Sequence, residues 1–100
     1  MMILSIIGNL GADVKTININ GKNYFYMNVA HNGIEKDGTG KTIEITHWCG
    51  VYLKENPNLL EFLKKGKCVY ASGSCRIKTV LKEGKCYLDV SLFAQCFQLL

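Results

Sequence analysis

Four stretches of this chain alternate apolar and polar residues at every second position, a period that buries one side of a β-strand and of nothing else. Phe25, Met27 and Val29 alternate with Tyr24, Tyr26 and Asn28. Ile43, Ile45, Val51 and Leu53 share one parity, while Thr42, Glu44, Thr46, Trp48, Gly50 and Tyr52 share the other. Val69, Ala71, Cys75 and Ile77 oppose Tyr70, Ser72, Ser74, Arg76 and Lys78, and Leu88, Val90 and Leu92 oppose Tyr87, Asp89 and Ser91. Each run has one dry face and one wet face, as antiparallel sheets do.

Turn signals separate the runs: Asn20-Gly21, the stretch from Asn32 to Lys41 with its three glycines, and Glu83-Gly84. One helical pattern stands among them, Asn58 to Lys65, where Leu59, Leu60, Phe62 and Leu63 form a narrow apolar stripe behind Pro57 and before Gly66. The residues before Asn20 read as one long or bent first strand, Met2 to Ile17. The order is thus three strands, a short helix and two strands. That predicts an all-β chain, a five-stranded OB-fold barrel with its helix between strands 3 and 4. An SH3-like barrel has no natural place for the helix.

With 100 residues the chain makes one domain, 1–100, and not two. Its 48% hydrophobic and 20% charged residues fit an ordinary globule, and no apolar run approaches the length of a membrane span. Met1 to Leu10 lacks the basic start of a secretory signal, so a cytoplasmic location is expected. Cys49, Cys68, Cys75, Cys86 and Cys96 stand singly, without metal-ligand spacing, and read as buried, reduced thiols. The apolar end, Phe93 to Leu100, should be covered, with Phe97, Leu99 and Leu100 against a second subunit.

Nothing in the sequence assembles an active site. The only histidines are His31 and His47, and neither a Gly-x-Ser-x-Gly nor a P-loop spacing occurs. His47 has the dry-side parity of its strand and reads as a hydrogen-bonded structural histidine. The wet faces are more informative, because they combine rings and cations: Trp48 with Tyr52, Tyr24 with Tyr26, and Tyr70 with Arg76 and Lys78. Unpaired bases need flat rings to stack on, and their phosphates need cations. The net charge of +4 suits a polyanion, and the short helix, with only Lys64 and Lys65 near its end, is no reader of duplex grooves. Single-stranded nucleic acid is the expected partner, and no cofactor is called for.

Three motifs in register then resemble bacterial single-stranded-DNA-binding (SSB) proteins. Ile6-Ile7-Gly8-Asn9-Leu10-Gly11-x-Asp13 is similar to that family's first-strand motif, Thr46-x-Trp48 with Val51-x-Leu53 to its third-strand signature, and Leu63-x-Lys65-Gly66-x-x-Val69-Tyr70-x-x-Gly73 to its helix exit and fourth strand. The resemblance runs from about residue 2 to residue 93. It implies an OB fold that binds single-stranded DNA in replication, recombination or repair, with Trp48 stacking on a base and Arg76 and Lys78 meeting the backbone. It also implies homo-oligomers, dimers or tetramers, formed through the first strand and the outer sheet surface. With Tyr26, Tyr52, Lys54 and Tyr70, these three residues make up the expected binding set.

Where the family often places further aromatics, this chain has Ile34, Lys54 and Val80. Binding should therefore lean on cations more than on a row of rings and should fade sooner with salt. The sequence carries no acidic tail of the sort through which the family recruits replication enzymes, so any recruitment of replication or recombination proteins would use another surface. A small OB domain without that tail also resembles primosomal replication protein N, which would make this chain a module acting mainly through protein contacts.

Overall fold

The strands turn back at the dipeptides that demand it. Asn20 and Gly21 have φ of 50° and 84°, and Glu83 and Gly84 have 53° and 76°, so both pairs sit in the left-handed region as two-residue type I′ hairpins require. These turns join β2 (Lys15–Ile19) to β3 (Lys22–Lys36) and β5 (Cys68–Lys82) to β6 (Lys85–Leu99) in a computed structural model that describes residues 1–100. β1 spans Ile3–Leu10 and β4 spans Thr42–Lys54.

The expected first strand is thus two strands. It breaks between Leu10 and Lys15 because that segment is claimed from below: Val14 N–H donates to the Leu63 carbonyl at 3.0 Å, and the Asp13 carboxylate accepts the Lys65 N–H at 2.8 Å. The Asn32–Lys41 stretch is also mostly strand, since Asn32 to Lys36 continue β3 and pair with Thr42 to Thr46 of β4. The reversal shrinks to Asp37–Lys41, where the Asp37 carboxylate accepts from the Thr39 backbone, the Thr39 hydroxyl and the Lys41 backbone. Those hydrogen bonds, the Thr39 hydroxyl foremost, hold the Asp37 carboxyl below its usual range.

One sheet runs in the order β1-β5-β6-β4-β3-β2 and closes where β1 also pairs β3, Asn9 opposite Ala30 and Leu10 opposite Val29. Five strands thus form the closed barrel and β2 is an extra ribbon on β3. Closure depends on Gly8, since a Cβ there would lie 2.3 Å from the Ala30 carbonyl oxygen. Inside lie Leu10, Phe25, Met27, Val29, Cys49, Val51, Val69, Ala71 and Leu92, with Leu63 stopping one end. Every alternating run named in the sequence contributes to this core.

The helical segment is a 3-10 helix over Pro57–Phe62, shorter than the Asn58–Lys65 stripe and tighter than an α-helix. Asn56 caps it by accepting the Asn58 N–H at 3.1 Å. Of the stripe, Leu60 and Phe62 are about half exposed, while Leu63, immediately after the helix, is fully buried and Leu59 packs partly buried against the core.

Both long hairpins overrun the barrel. Ile34, Leu81 and Leu88 are more than 70% exposed, and Ile43 and Ile77, of dry-side parity, are also uncovered. The Cα radius of gyration of 15.0 Å exceeds the ~13 Å of a compact 100-residue domain for that reason. A register shift between Ser72 and Gly73 leaves Gln95 of β6 unopposed. The bulge flips the parity of the last strand, so that Phe97 and Leu99 pack against the chain's own core, and only Leu100 of the expected subunit contacts stays exposed. Of the cysteines, Cys49 is buried and Cys68 and Cys75 are partly covered, but Cys86 and Cys96 are exposed, contrary to the reading that all five are interior. No helix is long and apolar enough to cross a membrane.

Candidate nucleic-acid interface

The register of β3, β4, β6 and β5 places the wet-side residues of all four strands on one outer face. Tyr26 stands opposite Tyr52, Tyr24 opposite Lys54, Ala30 opposite Trp48, and Tyr52 beside Phe93, which in turn faces Ser74. Ser91 faces Arg76 and Asp89 faces Lys78. A sheet face of this kind can lay rings and cations along one path.

At its centre the rings pack on one another. Tyr52 stacks on Phe93 with centroids 4.9 Å apart and planes 18° from parallel; Tyr26 tilts against Tyr52 at 4.9 Å, and Tyr24 meets Phe93 edge-on at 6.0 Å. Gly50 lets the Tyr26 ring lie flat on the sheet, and the Tyr26 hydroxyl donates to Asn28 Oδ1 at 3.0 Å. Burial, with Tyr52 beside it, raises the Tyr26 phenol above its usual range, so it stays a neutral donor. Tyr26 and Tyr52 are thus partly spent on cross-strand packing. Phe93, 47% exposed, gives the cluster its outermost ring. Sequence reasoning passed over Phe93 as part of the apolar C-terminal run, although it continues the wet parity of Asp89 and Ser91.

Beside the rings a cleft of about 430 Å³ is walled by Tyr52, Phe93, Ser74, Arg76, Lys78 and Asp89 and roofed by Ile19 and Asn20 from the β2–β3 turn. Arg76 and Lys78 are exposed and unpaired. The chain's one ion pair, Lys64 with Asp13 at 4.0 Å, lies elsewhere. Even Lys78 and Asp89, opposite each other across strands, form no ion pair. Two free cations next to exposed rings are what a phosphate and its base require. Lys54 is not in this cleft; it borders a separate shallow recess with Lys22 and Tyr24 at the far end of β4.

Trp48 is 56% exposed and leans away from the tyrosines. The far edge of its indole rests over Gly11, where a Cβ would come within 2.5 Å. With Tyr70 it lines a groove of about 490 Å³ beside β1, so the expected set divides between two places. His47, expected as a hydrogen-bonded core residue, is exposed and makes no hydrogen bond; it stacks on His31, its cross-strand partner, at 5.8 Å. The barrel wall ends there, so dry-side parity no longer means burial. Burial pushes the Cys49 thiol up to about 11, leaving it unreactive.

A closed OB barrel whose outer sheet carries stacked rings and unpaired cations has the surface chemistry of a single-strand binder. The chain belongs to the single-strand binding protein family, whose pattern it matches over residues 1–100. Solved structures give the same architecture. A small single-stranded DNA-binding protein from Streptomyces coelicolor superposes with a TM-score of 0.74 at 15% identity, covering 98% of this chain and 93% of that one. The Plasmodium falciparum SSB in complex with ssDNA gives 0.72 at 18% identity over 100% and 93%. A deletion mutant of the single-stranded DNA binding protein from Thermus aquaticus gives 0.74 at 21% identity, covering 98% of this chain but 49% of the other. No curated protein sequence matches.

Proposed function

We propose that this protein coats single-stranded DNA with little sequence preference, along the outer face that runs from Trp48 past Tyr52 and Phe93 to Arg76 and Lys78. The observation that carries the reading is the juxtaposition, in one cleft, of the Tyr52–Phe93 stack with two cations that have no protein partner. Rings and point charges read no base edges, so the binding is sequence-tolerant, and the strand served is one exposed in replication, recombination or repair. Five unpaired thiols fit a reducing, cytoplasmic setting.

Self-association fits the same picture. Between Ile3 and Gly8, β1 pairs only with β5, and its other edge displays Ile3 and Ile7, 65% and 54% exposed. An unpaired strand edge flanked by exposed apolar side chains invites pairing with another chain. A homodimer or homotetramer through β1 would cover it, and a stable monomer by sedimentation at micromolar concentration would rule it out. Anisotropy of a labelled oligo-dT should report binding by the wild type, weaker binding by Trp48→Ala and Arg76→Ala, and little binding to duplex of equal length. Equal affinity for duplex, or none for either, would overturn the assignment.

A further inference from the structure

The cleft beside the rings is polarised across the sheet. Its cations, Arg76 and Lys78, stand on β5, and its outermost ring, Phe93, stands on β6 beside Tyr52 of β4. Asp89 lines the same cleft from β6, directly opposite Lys78 but not ion-paired with it. Its charge lies close to the rings: after burial and Tyr52, Asp89 is the next cause that holds the Tyr26 phenol above its usual range.

An exposed carboxylate without a partner opposes the phosphates that the two cations attract. The hydrogen-bonding inventory of the cleft gives it a use. Arg76 and Lys78 only donate and suit phosphate, Asn20 and the hydroxyl groups both donate and accept, and Asp89, as a carboxylate, only accepts. It is thus the one side chain there that separates a base edge offering an amino group from one offering a carbonyl.

We infer that Asp89 turns the backbone toward β5 and accepts a hydrogen bond from the amino group of one base, favouring cytosine over thymine at one nucleotide per protomer. The inference rests on the proposed single-strand binding and adds a specificity-determining residue to it. Cytosine presents its amino group where thymine presents a carbonyl oxygen, which the carboxylate repels. Rings and cations do not tell the two pyrimidines apart, so the preference is that of one hydrogen bond, about fivefold, or about 1 kcal/mol. A preference of that size at one nucleotide leaves the coat tolerant of sequence.

Anisotropy with labelled oligo-dC and oligo-dT of equal length, for wild type and Asp89→Asn, tests it. The asparagine amide both donates and accepts, so it meets either pyrimidine. The ratio of oligo-dC to oligo-dT affinity should therefore fall about fivefold in the variant, whatever the lost charge does to both affinities together. Asp89 is exposed, so circular dichroism should show the fold kept. A second arm needs no variant: on the wild type, oligomers of a cytosine analogue without its amino group should bind about fivefold more weakly than oligo-dC. Tighter binding of both oligomers by Asp89→Asn at an unchanged ratio would make Asp89 a repellent of the backbone alone and overturn the base contact. An unchanged ratio at unchanged affinity, or an analogue that binds as well as oligo-dC, would overturn it too. In each of these cases, binding of oligo-dT by the wild type leaves the proposed function standing. Failure of every single-stranded oligomer to bind would overturn both.

Discussion

Replacing both free cations of the cleft, Arg76→Ala/Lys78→Ala, gives a test whose size follows from the structure. Neither side chain has an ion pair, and both project from the outer face, so their removal should leave the melting temperature within a degree or two of wild type. Each phosphate bound by a cation on a single strand contributes roughly 0.7 to the slope of log affinity against log salt. Without the two cations, that slope should be shallower by about 1.4. Between about 50 and 200 mM salt, the wild type should then weaken about seven times more than the variant. Oligo-dT titrations across that salt range would measure both slopes. Equal slopes for wild type and variant, with the fold intact, would refute the placement of the backbone in this cleft.

Phe93→Ala should weaken oligo-dT binding by about tenfold, in keeping with roughly 1 to 3 kcal/mol per stacked base, and a change below about twofold would remove Phe93 from the interface. Leu63→Ala should cost about 2–5 kcal/mol by leaving a cavity at the barrel end, as read by chemical denaturation. Gly8→Val should lower the melting temperature by several degrees or prevent folding, because its side chain would meet the Ala30 carbonyl. At about pH 8, Ellman's reagent should modify Cys86 and Cys96 rapidly and Cys49 only after unfolding. Because the folded Cys49 thiol holds its proton more tightly than an unfolded one, its contribution to stability is complete below about pH 8.5 and is lost as the pH rises toward about 11.

Much of this barrel was written in the alternation. The parity of Phe25, Met27 and Val29, of Val51, and of Val69 and Ala71 named the core directly, because one face of each strand is buried for its central length. What alternation could not show is where the barrel wall ends. Ile43, Ile77 and His47 have interior parity but stand on hairpins that outrun the barrel, and no local signal in the sequence marks that limit. Nor could it show the bulge at Gln95, which turns the last strand over and settles Phe97 and Leu99 on the chain's own core. The site was legible as a set of residue types. Its division was not, because the lean of Trp48 toward Gly11 and the cleft that Asn20 shares with Arg76 and Lys78 bring together residues far apart in the sequence.

Trp48 is the only tryptophan and stands half exposed beside β1, on the same face of β4 as Tyr52, so its fluorescence reports the central claim directly. Titration with oligo-dT at low salt should quench it to saturation at a fixed stoichiometry, and added salt should restore it. Emission that stays constant through a micromolar excess of oligo-dT at low salt would contradict the account.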